Sequence, residues 1–213
     1  KGSDKFQQMF RIDHSRYNLQ KALAAHQLSC ADITDVILTH LHFDHAGGAT
    51  KTNEHGEIIP TFPNATYYVQ AENLHWALNP TEKDRASYLQ ENFVPLQTSK
   101  QLKVLHGECE PFEGIKMLCF DGHTKGQQLP LIYTKKTKLF FCADLFPTSV
   151  HISPPWIMAY DNEPLTTLCE KKLILQKACA ENWSLFFEHC PHFAMGKIKQ
   201  DQNAKFSLIP TNS

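Results

Sequence analysis

Between Thr39 and Gly48 the chain reads THLHFDHAGG. His40, His42, Asp44 and His45 crowd three imidazoles and a carboxylate into one short segment. Nitrogen and oxygen donors of this kind suit zinc, manganese or iron. Side chains at i and i+2 of an extended segment share a face, so His40 and His42 can reach one ion. Asp44 and His45 come after the chain has turned, and they suit a second, adjacent ion. A catalytic zinc takes about three protein ligands and keeps an open position. Four local donors plus distant ones therefore exceed the needs of a single ion. The alternative is a set of core or surface histidines that bind nothing.

Elements that could position these donors follow from the hydrophobic pattern. Asn18 can cap a helix running to about His26, with Leu19, Ala22 and Leu23 on its buried face. Val36-Ile37-Leu38 is a short buried strand leading into the cluster, and Thr66–Val69 is a second strand. Glu72–Leu78 and Glu82–Asn92 are predicted helices, separated by Asn79-Pro80. Leu102–Leu105 and Ile115–Phe120 are predicted strands, the latter ending at DGHTKGQQ. Leu129–Tyr133 and Leu139–Cys142 form a hairpin around the solvated turn KKTK. Leu165–Glu181 is the longest predicted helix, and Leu185–Phe187 is a last strand leading into EHCPH. Four apolar strands thus end on His40, His123, Asp144 and His189, and in layered α/β folds sites form where strand ends meet loops.

The 213 residues suit one domain spanning 1–213, and 42% apolar with 20% charged residues is an ordinary globular balance. A net charge of -1 offers no broad basic field for nucleic acid. No apolar run approaches the roughly 20 residues of a membrane span, so no membrane association is expected. The seven cysteines are odd in number, scattered and free of any Cys-x-x-Cys pair. They are expected to be mostly small buried apolar residues in a reducing, cytoplasmic setting.

HLHFDH, GHTKG, CADLFP and FFEHCPH, in this order, resemble the motifs of the metallo-β-lactamase superfamily. The resemblance runs from about Ile33 to Gly196. It implies an α/β fold, an αββα sandwich, and a dinuclear site holding two divalent ions, zinc first, with manganese or iron as options. His40, His42 and His123 would hold one ion, Asp44, His45 and His189 the other, and Asp144 would bridge them. His192 competes with His189 for the last place, and His189 directly follows its strand. A hydroxide shared by the two ions would attack an ester or lactone carbonyl, and Asp44 could relay a proton to the leaving group. Gly47 and Gly48 would either let the backbone approach closely beneath the site or simply form a turn.

THLHFDHAGG is similar to the quorum-quenching lactonases of this superfamily, and ADLFPTSVHISPPWIMAYDNEPLTT resembles a branch of lactonases and organophosphate hydrolases. Lactonases of that group carry a tyrosine three residues after the bridging aspartate, where this chain has Pro147. Tyr160 or His151 could supply a polar contact in its place. Phe43, Phe146, Trp156, Ile157 and Met158 are candidates to line an apolar pocket for a small-molecule substrate. Glyoxalase-type thioesterases and phosphotriesterases are alternatives on the same site. The former rank lower because only a short tail follows His192, where that group adds a helical domain. An iron-dependent oxidoreductase of the same fold is the alternative of another class, although the diiron members place Glu where this chain has His42. A non-catalytic metal-binding protein is a third. Finally, 39 residues precede His40, and Lys1–Ser15 shows little strand character. The expectation is a first sheet lacking its N-terminal part, with an exposed edge that a homo-oligomer could cover.

Overall fold

A computed structural model describes residues 8–11, 13, 15 and 18–211. The expectation for Lys1–Ser15 falls mostly outside these residues. The chain forms two compact units, one of residues 1–69 and 77–104, the other of residues 70–76 and 105–213.

The first unit is built on a sheet of β1 (Asp35–Ile37), β4 (Thr66–Gln70) and β5 (Leu102–Leu105), in the order β1-β4-β5. β1 and β4 run parallel, with Val36 opposite Tyr67. The ladder continues one residue beyond β1, because Leu38 N–H donates to Tyr68 O at 3.0 Å. β2 (Thr50–Thr52) and β3 (Ile58–Pro60) make a separate hairpin. The fully buried Tyr67 ties this hairpin to the sheet: its hydroxyl donates to Ala49 O and accepts from Phe62 N–H, each at 3.0 Å. Helices α1 (Leu19–Ala24), α2 (Phe43–Ala46), α3 (Ala71–Leu78) and α4 (Val94–Thr98) complete the N-terminal half of the chain.

Two expectations fail here. Asn18 does cap α1 by accepting from Lys21 N–H, but the helix buries none of its residues, and Leu19 and Ala22 are exposed. Six residues are too few to close a buried stripe. Glu82–Asn92 is not a helix but turns with two short 3-10 segments, Arg85–Ser87 and Gln90–Asn92. The Asp84 carboxylate accepts from both the N–H and the hydroxyl of Thr81, at 3.0 and 2.8 Å. That local turn competes with helical pairing.

The second unit is a seven-stranded sheet in the order β12-β11-β10-β9-β8-β7-β6. Its strands are β6 (Cys109–Phe112), β7 (Ile115–Phe120), β8 (Gln127–Tyr133), β9 (Lys138–Phe141), β10 (Ser184–Phe186), β11 (Met195–Gln200) and β12 (Phe206–Pro210). β9 and β10 are parallel, and the other pairs are antiparallel. Parallel neighbours need a crossover, and α5 (Pro164–Ala180) supplies it. Pro164 at its first turn has the fixed φ that a helix start wants. Its buried stripe is Thr167, Lys171, Ile174, Leu175 and Ala178, at spacings of three and four. Beneath it lie Leu129, Phe140, Trp183, Leu185 and Ile198, all buried. The C-terminal tail is not a loose end: β11 and β12 form a hairpin that extends the sheet.

The cysteines also depart from expectation. All seven are free, yet only Cys142 is buried, and Cys169 is exposed. Several sit on strand faces or loops at the margin of the core. Burial raises the Cys190 thiol, but hydrogen bonds from Ser149, His192 and Phe193 outweigh it and bring it to about 7.

Candidate metal centre

In the first unit, the end of β1 delivers Thr39 and His40 into the interior, and His40 is fully buried. Thr39 Oγ1 lies 3.2 Å from His40 Nδ1. His42 caps the N-terminus of α2 in extended geometry, with φ -60° and ψ 149°. The helix then turns Asp44 and His45 away from the strand direction. The three imidazoles gather closely: the His40 ring is 4.6 Å from His42 and 4.0 Å from His45. The Tyr88 ring packs 4.7 Å from His42. Asp44 Oδ2 lies 3.5 Å from His45 Nε2, and the aspartate is half-exposed. Gly47 and Gly48 form the next turn, and a Cβ at either would meet only ordinary contacts. Of the two readings of this pair, the turn is the one seen in the backbone.

In the second unit, His123, Asp144 and His189 come together. His123 Nε2 is 3.1 Å from Asp144 Oδ2, and His189 Nε2 is 3.2 Å from Asp144 Oδ1. Asp144 stands in the short turn Ala143–Leu145 after β9. Its neighbour Ala143 has φ 35°, in the left-handed region that costs a non-glycine residue energy. His189 is fixed from behind, since its N–H donates to Pro147 O at 3.1 Å. His192 is exposed beside Phe193 and takes no part.

The loop that carries His123 is anchored to α5. Asp121 and Gly122 N–H donate to the Glu170 carboxylate at 2.7 and 3.2 Å. Burial raises the Glu170 acid, against those two donors. Glu163 N–H donates to Gly122 O at 2.8 Å. A Cβ at Gly122 would stand 2.5 Å from Thr167 N, so only glycine fits. On its other side, His123 Nδ1 meets Asp161 Oδ1 at 2.9 Å, and Asp161 is buried. Sequence reasoning missed Asp161. No spacing rule separates it from the other aspartates of the chain, because β8, β9 and the turns after them lie between it and His123.

The expected pocket residues differ in exposure. Phe146 is fully buried and belongs to the core of the second unit, so it is no pocket wall. Trp156 and Tyr160 are 58% and 76% exposed, and Ile157 and Met158 are half-buried. His151 is half-buried, bonded to Thr148 Oγ1 at 2.8 Å, and burial lowers its pKa. Phe43 is half-buried, with its ring 4.8 Å from Phe10.

The chain is similar to an N-acyl homoserine lactonase of Bacillus cereus, with 32% identity over 108 residues, 51% of this chain and 36% of that protein. A second N-acyl homoserine lactonase, from Bacillus sp, is 34% identical over 50% of this chain and 35% of its own length. The chain thus matches about a third of the length of these curated relatives. Among solved structures, a probable metal-dependent hydrolase from Staphylococcus aureus superposes with TM-score 0.85 at 28% identity, covering 99% of this chain and 74% of its own. A dizinc quorum-quenching lactonase with bound product shares the fold at TM-score 0.78 and 22% identity, over 92% of this chain and 70% of its own. The family model of the metallo-beta-lactamase superfamily matches residues 5–176. That match spans most of the chain, and with the histidine and aspartate donors in place the chain belongs to the metallo-beta-lactamase superfamily.

Proposed function

We propose that residues 1–213 act as one catalytic domain, a metal-dependent hydrolase that opens an ester or lactone in the manner of an N-acyl homoserine lactonase. Each unit gathers its own donors, His40, His42, Asp44 and His45 in the first and His123, Asp144 and His189 in the second, and together they are enough for two ions. His40, His42 and His123 would hold one divalent cation, and Asp44, His45 and His189 the second. The observation that carries the reading is the Asp144 carboxylate, each of whose oxygens faces a different imidazole. A carboxylate so placed would be shared between the two ions. Imidazole and carboxylate donors fit zinc first, and manganese or iron as well.

When bound, such a pair would supply an acidified water near neutral pH and a polarised carbonyl. The protein's own groups do the rest. Asp161 accepts the Nδ1 proton of His123 and leaves Nε2 as the ligand nitrogen. Asp44, half-exposed beside His45, would accept the proton released by the attacking water and pass it to the leaving alkoxide. The substrate is a small molecule with an apolar acyl or aryl part, and the candidate contacts are Phe43 in the first unit and His151, Trp156 and Tyr160 in the second.

The test is a panel of acyl lactones, aryl esters, thioesters and phosphotriesters, assayed before chelation, after it, and with Zn²⁺ restored. Lactone hydrolysis lost on chelation and regained with Zn²⁺ is the expected result. Full activity in a verified metal-free protein would overturn the proposal. Preference for thioesters or phosphotriesters would move the substrate class, and oxygen uptake with iron would move the reaction class.

A further inference from the structure

Lys171 lies on the buried stripe of α5 and is only 1% exposed. Its Nζ donates to three main-chain carbonyls of one loop: Ser153 O at 3.1 Å, Pro154 O at 3.2 Å and Trp156 O at 2.6 Å. An ammonium has three protons and no acceptor, so these three acceptors use all of them. The Phe146 ring lies 5.8 Å away. A buried cation is costly unless it is well satisfied. Burial pushes its pKa down to about 8, against the pull of Asp161, so at pH 7 it remains largely charged.

The loop gains a fixed shape from this arrangement. Three carbonyl dipoles aimed at one point repel each other unless a cation sits there. The segment from Ser153 to Asp161 lies outside the helices and strands, and its bonds include Trp156 N–H to Ser153 O at 3.1 Å and Asp161 N–H to Met158 O at 3.2 Å. Five residues after Trp156 the same loop delivers Asp161 to His123. The preceding residue on α5, Glu170, grips the backbone of the His123 loop from the same helix. Neighbouring charges of opposite sign on one helix thus fasten the two loops whose tips meet in the His123–Asp161 bond.

We propose that Lys171 is a positioning residue, clamping the 153–156 loop so that Asp161 holds His123 in the orientation needed to bind a metal. The metal-binding part rests on the function proposed above, whereas the clamp itself does not.

The test compares the full chain with K171M, K171R, D161N and the double variant K171M/D161N. Hydrogen exchange at pH 7 in the absence of metal should be about tenfold or more faster across 149–162 in K171M, with β7, β8 and β9 unchanged. K171R, which keeps the charge, should restore much of the protection. In Zn²⁺ titrations K171M should bind about 10–100-fold more weakly, as expected on losing an outer partner of a ligand histidine. The double variant should bind no more than about threefold more weakly than D161N alone, because Lys171 acts through Asp161. Unchanged exchange in the loop would overturn the clamp, as would equal acceleration throughout the sheet. Additive losses in the double variant would overturn the route through Asp161. A wild-type chain that binds no Zn²⁺ would sink the function reading instead, and the exchange comparison would still decide the clamp.

Discussion

His123 is held from two sides by carboxylates of different duty. Asp144 meets Nε2 and is shared with His189, while Asp161 meets Nδ1 from within the interior. An imidazole whose Nδ1–H is given to a buried carboxylate is fixed in tautomer and ring angle, and its Nε2 becomes the more basic donor. Asp161→Asn keeps an acceptor oxygen but removes the charge. We expect metal affinity to fall about 10–100-fold, measured by competition with a chromophoric chelator, while the fold is retained. An affinity equal to wild type would mean that the bond only fills space.

At the scale of elements, short strands and one long helix do the positioning. β1, β7, β9 and β10 each end a residue or a few before a donor, and a strand end is stiffer than a free loop. The edge of the large sheet is held by a polar device of its own. Glu110 on β6 accepts from the Tyr133 hydroxyl at 2.7 Å and from Gly114 N–H at 2.9 Å. These bonds hold its carboxyl below the ordinary value of 4.5. A depressed folded pKa means that the unfolded chain binds the proton first as pH falls. The bonds therefore stabilise the fold above about pH 4.5, and that contribution is lost as pH drops through the lower folded value. Tyr133→Phe should lessen the loss of urea resistance between pH 5 and pH 3. A variant with the wild-type pH slope would show that the pair contributes nothing there.

For the whole molecule, four of the proposed ligands belong to one compact unit and three to the other. Metal that binds only the native state stabilises by about 2.7 kcal/mol at a free concentration 100 times its dissociation constant. If the donors act together, Zn²⁺ should slow hydrogen exchange in both units, and His40→Ala or His123→Ala should abolish that protection throughout. Protection confined to one unit would mean that the ions are held separately. Among the described residues no helix is long and apolar enough to cross a membrane.

What the sequence determined by itself was the set of candidate donors and much of its local framing. The crowding of His40, His42, Asp44 and His45 is a local pattern, and so is an apolar strand that stops on His123, Asp144 or His189. Period and caps also placed Thr66–Gln70, Ile115–Phe120 and Pro164–Ala180 to within a residue or so. The strands β6, β11 and β12 were not legible. Each mixes half-buried and exposed positions, and their pairing partners, rather than their own composition, make them strands. The supposed helix at Glu82–Asn92 lost to a side-chain turn at Asp84 that periodicity does not register. Only the tertiary structure decided that Phe146 is core, that Asp161 is the partner of His123, and that Lys171 is buried among carbonyls. Each of these depends on which loop passes beside which helix, and that is set by the packing of α5 on the sheet, not by neighbours along the chain.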